Sequence, residues 1–196
     1  MTRIISAIAV FSGSNSGGHE DYAQGAVGLG TELARRGIRL VYGGTNKGLM
    51  GVLADAVLAG GGEAHGVITE RLAARGHGHP GLTVGETATD MRARKRRMAD
   101  LADAFIALPG GIGTLEEFME VWTLNQLGEF MKPAGLLNIR GFYDPLMGMI
   151  DHMIAESFLP PQHRDGIVLD ASPAALIDGL ITFQPVTVAK WLEPAP

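Results

Sequence analysis

The sequence predicts an α/β protein in which a parallel, doubly wound β-sheet is covered by helices on both faces. Three observations favour this class. Short apolar runs, often rich in β-branched residues, alternate with longer segments of helical periodicity. These runs are apolar almost throughout, as expected for strands that are buried on both faces. The chain also has 28 glycines, enough for many tight strand-to-helix turns.

The first part of the chain alternates strands and helices. Ile4–Phe11 is apolar and rich in β-branched residues, which predicts a buried strand. Asp21–Arg36 is amphipathic and is followed by Gly37, which predicts a helix that ends there. The same patterns predict a strand at Ile38–Tyr42, a helix at Leu49–Ala59 and a strand at Glu63–Ile68. Residues 70–83, rich in Gly and His, predict a loop with room for a short helix.

The second part continues the alternation. The predicted elements are helices at Asp90–Ala102 and Thr114–Leu127, strands at Ala104–Leu108 and Ala134–Ile139, and helices opening at Asp144-Pro145, running to about Ser157, and at Ser172-Pro173. A capping residue followed by proline is typical of a helix start. No linker or repeat interrupts the series, so we expect residues 1–196 to form a single domain.

The composition excludes several functional classes. Hydrophobic residues make up 46% and charged residues 19% of the chain, which is typical of a globular protein. The net charge of −5 argues against a nucleic-acid binder, and the absence of Cys excludes disulfides and thiolate chemistry. The apolar N-terminal run is too short to span a membrane and lacks signal-peptide features, so we expect a cytoplasmic protein with no membrane partner. The six histidines have no metal-ligand spacing, so we expect no metal.

Three glycine-rich turns follow predicted strands, where doubly wound folds bind ligands. "FSGSNSGG", with Gly13 and Ser14, lacks the G-x-G-x-x-G fingerprint and is equally compatible with an ordinary turn or with phosphate or ribose binding. "YGGTNKGLMG", with Gly44 and Thr45, is not a Walker A loop and by itself favours simple packing. The third turn, "LPGGIGTLEE", opens a helix.

The third turn is the most informative. Backbone N–H groups at a helix start, with no side chain on Gly110, Gly111 and Gly113, favour an oxyanion, and Thr114 adds a hydroxyl or a cap. Two glutamates follow in the first turn. They could simply complement the helix dipole, worth about 0.3–1 kcal/mol each. However, they would repel a phosphate, which suggests a chemical role.

A basic helix provides a candidate cation. In "DMRARKRRMADLA" an apolar stripe runs through Met91, Met98 and Ala102, and Arg94 and Lys95 flank it. Such side chains usually extend to solvent. Arg94 lies close enough to the stripe to be partly buried, so it requires an anionic partner, either a glutamate or a phosphate.

These motifs closely resemble the LOG ("lonely guy") family, long mislabelled as lysine decarboxylases. "PGGIGTLEE" is similar to its P-G-G-x-G-T-x-x-E signature and "MRARK" to its M-H-x-R-K motif. "GGTNKGLMG", "QLGEFMKPAGLLNIRGFYDPL" and "VFSGSNSG" also fit, so the resemblance runs from about Ile8 to Asp170. It implies a Rossmann-like fold, a homodimer, and hydrolysis of the N-glycosidic bond of cytokinin riboside 5′-monophosphates, often also of AMP.

The resemblance also implies site residues. Arg94 and Glu117 fall on the catalytic positions. Contacts with the small-molecule nucleotide fall on Gly110, Gly111, Ile112, Gly113, Thr114, Leu115, Glu116, Lys95, Thr123 and Glu70. The glycine turn would hold the 5′-phosphate while Glu117 faces the sugar, stabilising an oxocarbenium-like transition state or activating water, and Arg94 keeps Glu117 ionised and oriented. Nothing resembles a pyridoxal-phosphate site, so we expect no cofactor.

Two departures from the family pattern stand out. Arg92 stands where the family usually has His, a change that could alter the base pocket or the dimer contact. Thr45 follows Gly43-Gly44 at a position where the family often has a third Gly, a change that could alter the turn that binds the ribose phosphate. The alternative function is a non-catalytic nucleotide carrier or sensor of the same fold. The Arg94 and Glu117 pair favours the enzyme, because a carrier has no need of a carboxylate at the sugar. The sequence leaves open whether cytokinin nucleotides or AMP are the substrate.

Overall fold

Seven parallel strands form one sheet in the computed structural model, which describes residues 3–186. In chain order they are β1 (Ala7–Phe11), β2 (Arg39–Tyr42), β3 (Ala64–Thr69), β4 (Val84–Ala88), β5 (Ala104–Ala107), β6 (Ala134–Leu137) and β7 (Ile167–Asp170). The spatial order is β4-β3-β2-β1-β5-β6-β7. Strands β2, β3 and β4 therefore follow one another on one side of β1, and strands β5, β6 and β7 follow one another on its other side.

Helices connect the strands. They are α1 (Glu20–Arg36), α2 (Gly48–Ala59), α3 (Glu70–Ala73), α4 (Met91–Leu101), α5 (Ile112–Gln126), α6 (Asp144–Ala155) and α7 (Pro173–Thr182). Two 3₁₀ turns occupy Ile139–Gly141 and Pro161–Gly166. Several starts and stops are as predicted: Gly37 ends α1 with a left-handed backbone, φ 66°, and Ser172 caps α7.

Two apolar layers lie on opposite faces of the sheet. On one face Leu33, Leu53 and Leu176 of α1, α2 and α7 pack against Ile8 and Val10 of β1. On the other, Met98, Phe118 and Ile150 of α4, α5 and α6 pack against Ala9 and Phe11. Alternate residues of one strand thus enter different layers. The predicted doubly wound parallel sheet is confirmed.

The structure corrects several predicted elements. The two edge strands, β4 and β7, are not among the predicted strands. The fifth helix begins at Ile112 rather than at Thr114, so Glu116 and Glu117 lie in its second turn and not in the first turn as predicted. The sixth helix begins at Asp144 itself, so Tyr143 takes the capping position. In contrast, the short helix for which the predicted 70–83 loop left room is present at its start as α3. None of these changes moves a predicted strand to another place in the sheet.

The topology determines where a ligand can bind. β1 and β5 are neighbours at the point where the strand order reverses, and a crevice forms outside their carboxyl ends. The turns after β1 and β5 contain Gly13 and Gly110. Within residues 3–186, no helix is both long and apolar enough to cross a lipid bilayer.

Candidate active site

The three glycine-rich turns meet at the crevice. The Gly13 N–H donates to the Pro109 carbonyl over 3.2 Å, which joins the turns after β1 and β5. The Leu49 N–H donates to the Gly13 carbonyl over 3.0 Å, which brings the start of α2 to the same place. Ser14, exposed to solvent, lies directly over Gly48. Segments distant in sequence thus form one continuous backbone surface.

Gly110 permits this close approach. A Cβ atom at this position would lie 2.1 Å from Thr114 Oγ1 and 2.8 Å from the Gly13 nitrogen, distances that no side chain could tolerate. Thr114 is buried beneath the turn, so its hydroxyl faces Gly110 and not the solvent. The predicted contribution of Thr114 to anion binding is therefore confined to its backbone or to support of the turn.

The start of α5 presents free backbone donors. Gly111 is the capping residue, and it has no side chain with which to accept a hydrogen bond from this first turn. The first N–H groups of a helix have no acceptor within the helix, and they carry its positive dipole end. Gly111 and Gly113 have open space where a Cβ would be, and the Ile112 side chain is 86% exposed. These features suit an oxyanion held by backbone N–H groups.

The second turn forms the neighbouring wall. Gly44 has φ 72°, a conformation that favours glycine, and it packs against β3. Thr45 is buried and makes an isolated antiparallel bridge with Gly78. Its hydroxyl accepts a hydrogen bond from the Lys47 N–H over 3.3 Å. Glu70 lies exposed immediately after β3, at the same edge of the sheet.

Arg94 is a buried cation with several partners. Its Nε donates to the Val67 carbonyl on β3 over 2.9 Å, and its Nη1 donates to Glu117 Oε1 over 3.1 Å. Nη1 also lies 3.1 Å from the Met91 sulfur. The Arg94 side chain is only 9% exposed. The guanidinium therefore links β3 and α5 from its place on α4, and the predicted pairing of Arg94 with a glutamate is confirmed.

Gly43 makes room for this guanidinium. A Cβ at Gly43 would lie 2.1 Å from Arg94 Nη2. Sequence reasoning assigned no role to Gly43 or to the Val67 carbonyl. The paired glycines in "YGGTNKG" indicate a close approach of another group at Gly43. The use of a backbone carbonyl as an acceptor cannot be recognised from the sequence, because every residue has one.

Burial controls the ionisation of Glu117. It raises the pKa of the carboxyl above its ordinary value, Arg94 acts in the opposite direction, and the nearby Glu116 adds to the rise. The net direction is upward, so the expectation that Arg94 simply keeps Glu117 ionised requires correction. Arg94 orients the carboxyl and offsets only part of the cost of burying its charge. A carboxyl with a raised pKa is suited to proton transfer.

The other predicted contact residues of α4 and α5 lie on a more open face. Lys95 forms an ion pair with Glu116 and another, at 2.9 Å, with Glu120. Leu115 is partly buried and packs against the apolar layer between the sheet and helices α4, α5 and α6. Thr123 is exposed and lies six residues beyond Glu117, about 9 Å along the helix. Within this chain Thr123 is therefore not brought to the glycine turns.

A cleft of about 490 Å³ lies between α4 and α5 and shares Glu117 with the site. Its walls include the apolar residues Phe11, Val121, Leu124 and Phe130 and the charged residues Arg92, Lys95, Arg96, Asp100, Glu120 and Glu129. The cleft is large enough for a base or for side chains of a second molecule. Among residues 3–186, no group of three acidic or histidine side chains is placed to hold a metal ion.

Together, these contacts place a glycine-rich helix start close to the pair of Arg94 and Glu117 in an α/β protein of the doubly wound class. Comparison with known proteins is consistent with this class. A family model described as "Possible lysine decarboxylase" matches residues 50–180. The cytokinin riboside 5′-monophosphate phosphoribohydrolase LOG1 of Arabidopsis thaliana is 47% identical over 180 residues, covering 91% of this chain and 84% of the relative.

A bacterial relative is equally similar. The cytokinin riboside 5′-monophosphate phosphoribohydrolase of Rhodococcoides fascians is 46% identical over 164 residues, covering 83% of each protein. The chain belongs to the LOG family. Among solved structures, a molybdenum cofactor binding protein from Rippkaea orientalis has a TM-score of 0.68 at 23% identity, covering 90% of this chain and 97% of that one. This last similarity concerns the fold alone.

Proposed function

We propose that this protein hydrolyses the N-glycosidic bond of cytokinin riboside 5′-monophosphates, and also of AMP, releasing the free base and ribose 5-phosphate. Relatives at 46–47% identity have the first of these activities in their names. The observation that carries the proposal is the Glu117 carboxyl, whose side chain is 13% exposed, paired with Arg94 and located one helical turn from a glycine-rich helix start.

The proposed roles follow from the geometry of α5. The N–H groups of Gly111 and Gly113 would bind the 5′-phosphate, with the Gly13–Ser14 turn alongside. Glu117 is four residues beyond Gly113, about 6 Å along the helix axis. That separation is comparable to the distance from a 5′-phosphate to the far side of its ribose. The phosphate would thus position the sugar next to the carboxyl.

Cleavage of an N-glycoside develops positive charge on the sugar as the bond to the base breaks. An ionised Glu117 would stabilise that charge or take a proton from the attacking water. Arg94 would hold the carboxyl in place through the contact at 3.1 Å. The proton taken from water passes afterwards to solvent or to the departing base, and the raised pKa of Glu117 makes its carboxylate a stronger base than an ordinary one.

The carrier alternative has less support. The molybdenum cofactor binding protein shares the fold at 23% identity, which says nothing of activity in this chain. In a carrier, a carboxyl buried beside the ligand would reduce stability and repel the phosphate without any benefit to binding, because burying a charge costs free energy. The enzyme is therefore the function we propose.

The activity should depend on the 5′-phosphate. We expect cleavage of AMP and isopentenyladenosine monophosphate, and far weaker cleavage of adenosine, because the phosphate provides both binding and orientation. Gly110→Ala should remove this preference, since its Cβ would collide with Thr114 and Gly13. Chromatography of released base and ribose 5-phosphate is the measurement.

Gly148→Ala is the matched control, because a Cβ at this position in α6 meets nothing within 4 Å. It should retain the preference of the parent. Equal rates with nucleoside and nucleotide would contradict the assigned phosphate site. Binding of both nucleotides without cleavage of either would favour the carrier.

We also propose a homodimer that associates through the face formed by α4 and α5. Arg92 and Arg96 are exposed there and form no ion pair within residues 3–186, and Met91 is 44% exposed. A second copy would cover these groups and bring its own side chains to the cleft beside Glu117. Sedimentation velocity at micromolar concentration should give a dimer, and a monomer would contradict the proposal.

A further inference from the structure

A second charged cluster lies behind the site, and no motif points to it. Glu86 on the edge strand β4 accepts two hydrogen bonds from Arg97 on α4, from Nε over 2.7 Å and from Nη2 over 2.8 Å. Oε1 of Glu86, which accepts from Nη2 of Arg97, also lies 2.9 Å from Nε2 of His65 on β3. Such a two-pronged arginine–carboxylate contact fixes direction as well as distance.

The sheet register relates this cluster to Arg94. Glu86 is paired directly with Val67 across β4 and β3. The Val67 carbonyl is the acceptor for Arg94 Nε. Arg94 and Arg97 are three residues apart, so they lie on the same side of α4. Two arginines from one helix thus attach to two residues that face each other in the sheet.

His65 closes the cluster from the sheet side. Its side chain is 8% exposed and lies on β3 two residues before Val67, on the same face. Glu86 is consequently held between an imidazole fixed on β3 and a guanidinium on α4. The hydrogen bonds and the charge of Arg97, together with the contact from His65, lower the pKa of Glu86 to about 2. The carboxylate therefore stays ionised across the pH range of ordinary assays.

Polar contacts, more than apolar packing, attach the first half of α4, because its buried apolar residues lie toward its C-terminal end. Lys95 joins α4 to two glutamates of α5, and Arg97 joins it to the edge strand of the sheet. The contact between Arg94 and Glu117 is a single hydrogen bond, so a shift of the helix by about 1 Å would break it.

We propose that Glu86, Arg97 and His65 form a positioning network that fixes α4 on the sheet and so holds the Arg94 guanidinium against Glu117. The network touches neither of these side chains directly and acts through the helix. The inference rests on the proposed function only in assigning the pair of Arg94 and Glu117 to the reaction.

The test uses the full chain with Arg97→Ala, the charge-swapped double variant Glu86→Arg/Arg97→Glu, and Arg39→Ala as control. Arg39 forms a similar pair with Glu63 on the same sheet, is 45% exposed against 46% for Arg97, and lies away from α4. Steady-state kinetics with a nucleoside monophosphate give kcat and KM. The ¹⁵N–¹H signal of Arg94 Nε, assigned by its loss in Arg94→Lys, reports on the buried hydrogen bond without any substrate.

We expect Arg97→Ala to lower kcat roughly 10- to 100-fold with little change in KM, because the misplaced group acts in the transition state. The Arg94 Nε signal should broaden or exchange rapidly. The charge-swapped variant should recover most of both properties, since the imidazole of His65 can accept as well as donate. Arg39→Ala should change neither.

Two outcomes would overturn the inference: a kcat and an Arg94 signal unchanged in Arg97→Ala, or equal losses in Arg97→Ala and Arg39→Ala. An inactive parent would instead contradict the proposed function. The Arg94 signal would still decide the inference in that case.

Discussion

Exchange of Glu117 for glutamine is expected to lower turnover of nucleoside monophosphates by roughly 10²–10⁴-fold, with the fold retained. Glutamine keeps the shape of the side chain and can still accept a hydrogen bond from Arg94. It can neither take a proton from water nor balance positive charge on the sugar. Affinity for the nucleotide should change much less, because the phosphate is held at the start of α5.

The fold should survive this exchange for an electrostatic reason. Burial raises the pKa of the Glu117 carboxyl, which means that the folded protein disfavours the ionised form relative to the unfolded chain. Above the ordinary pKa, the buried charge therefore costs stability, and a neutral glutamine removes that cost. The upward shift of the pKa already includes the contact with Arg94, so the folded protein disfavours the charge at Glu117 even with this partner in place. Circular dichroism during thermal unfolding would check this.

A matched control separates chemistry from loss of an ion pair. Glu32 also pairs with an arginine, Arg36, its side chain is 14% exposed against 13% for Glu117, and it lies near the C-terminal end of α1, whereas the glycine turns lie at the starts of helices. Glu32→Gln should therefore retain full turnover. If a folded Glu117→Gln protein cleaved nucleotides at the parent rate, Glu117 would have no place in the mechanism.

Removal of the guanidinium at position 94 should have an effect of similar size. Arg94→Ala leaves the Glu117 carboxyl buried without its cation and the Val67 carbonyl without its donor. Breaking a buried ion pair on one side typically costs about 3–5 kcal/mol. We expect turnover to fall by at least roughly 10²-fold and the melting temperature to drop. The kinetic assay and the thermal scan are the measurements.

Arg94→Lys distinguishes charge from geometry. A lysine retains the positive charge but cannot reach Val67 and Glu117 with a planar fork. The variant should fold better than Arg94→Ala and remain impaired.

The pH dependence of the Arg94 variants provides a further check. Arg94 lowers the pKa of Glu117, so a weaker contact should raise that pKa further. If Glu117 acts in its ionised form, the acid limb of the kcat profile moves to higher pH in Arg94→Lys. A profile identical to that of the parent would show that Arg94 does not act through the ionisation of Glu117.

The parts of the fold that the sequence predicts well are those buried on both sides. Strands such as β1 and β5 are apolar at every position, so their pattern is clear. β4, with the sequence V-G-E-T-A, is exposed or half-buried along its length because it lies at an edge. It is a strand because it pairs with β3, and its own composition gives no strong strand pattern. β7, at the other edge, is also only partly buried.

The site shows a similar division. The basic helix was sufficient to predict that Arg94 is partly buried and needs an anionic partner, and the structure pairs it with Glu117. The roles of this pair and of the glycine turn in binding and catalysis stay predictions. The acceptor for Arg94 on β3 and the space left by Gly43 depend on how strands align, which the local sequence does not encode. The pKa of Glu117 depends likewise on the depth of burial, so its direction could not be read from the motif.

The hydrogen bond between Gly13 and Pro109 has a consequence for how the protein matures. It joins positions roughly a hundred residues apart, and closing so long a loop carries an entropic cost that only the paired strands repay. A chain emerging from the ribosome would already contain the first two glycine turns without being able to use them. The crevice can form only once β5 has docked beside β1, a non-local step of the kind that slows folding. Nucleotide affinity thus becomes a property of the finished sheet, and neither half of the chain should possess it alone.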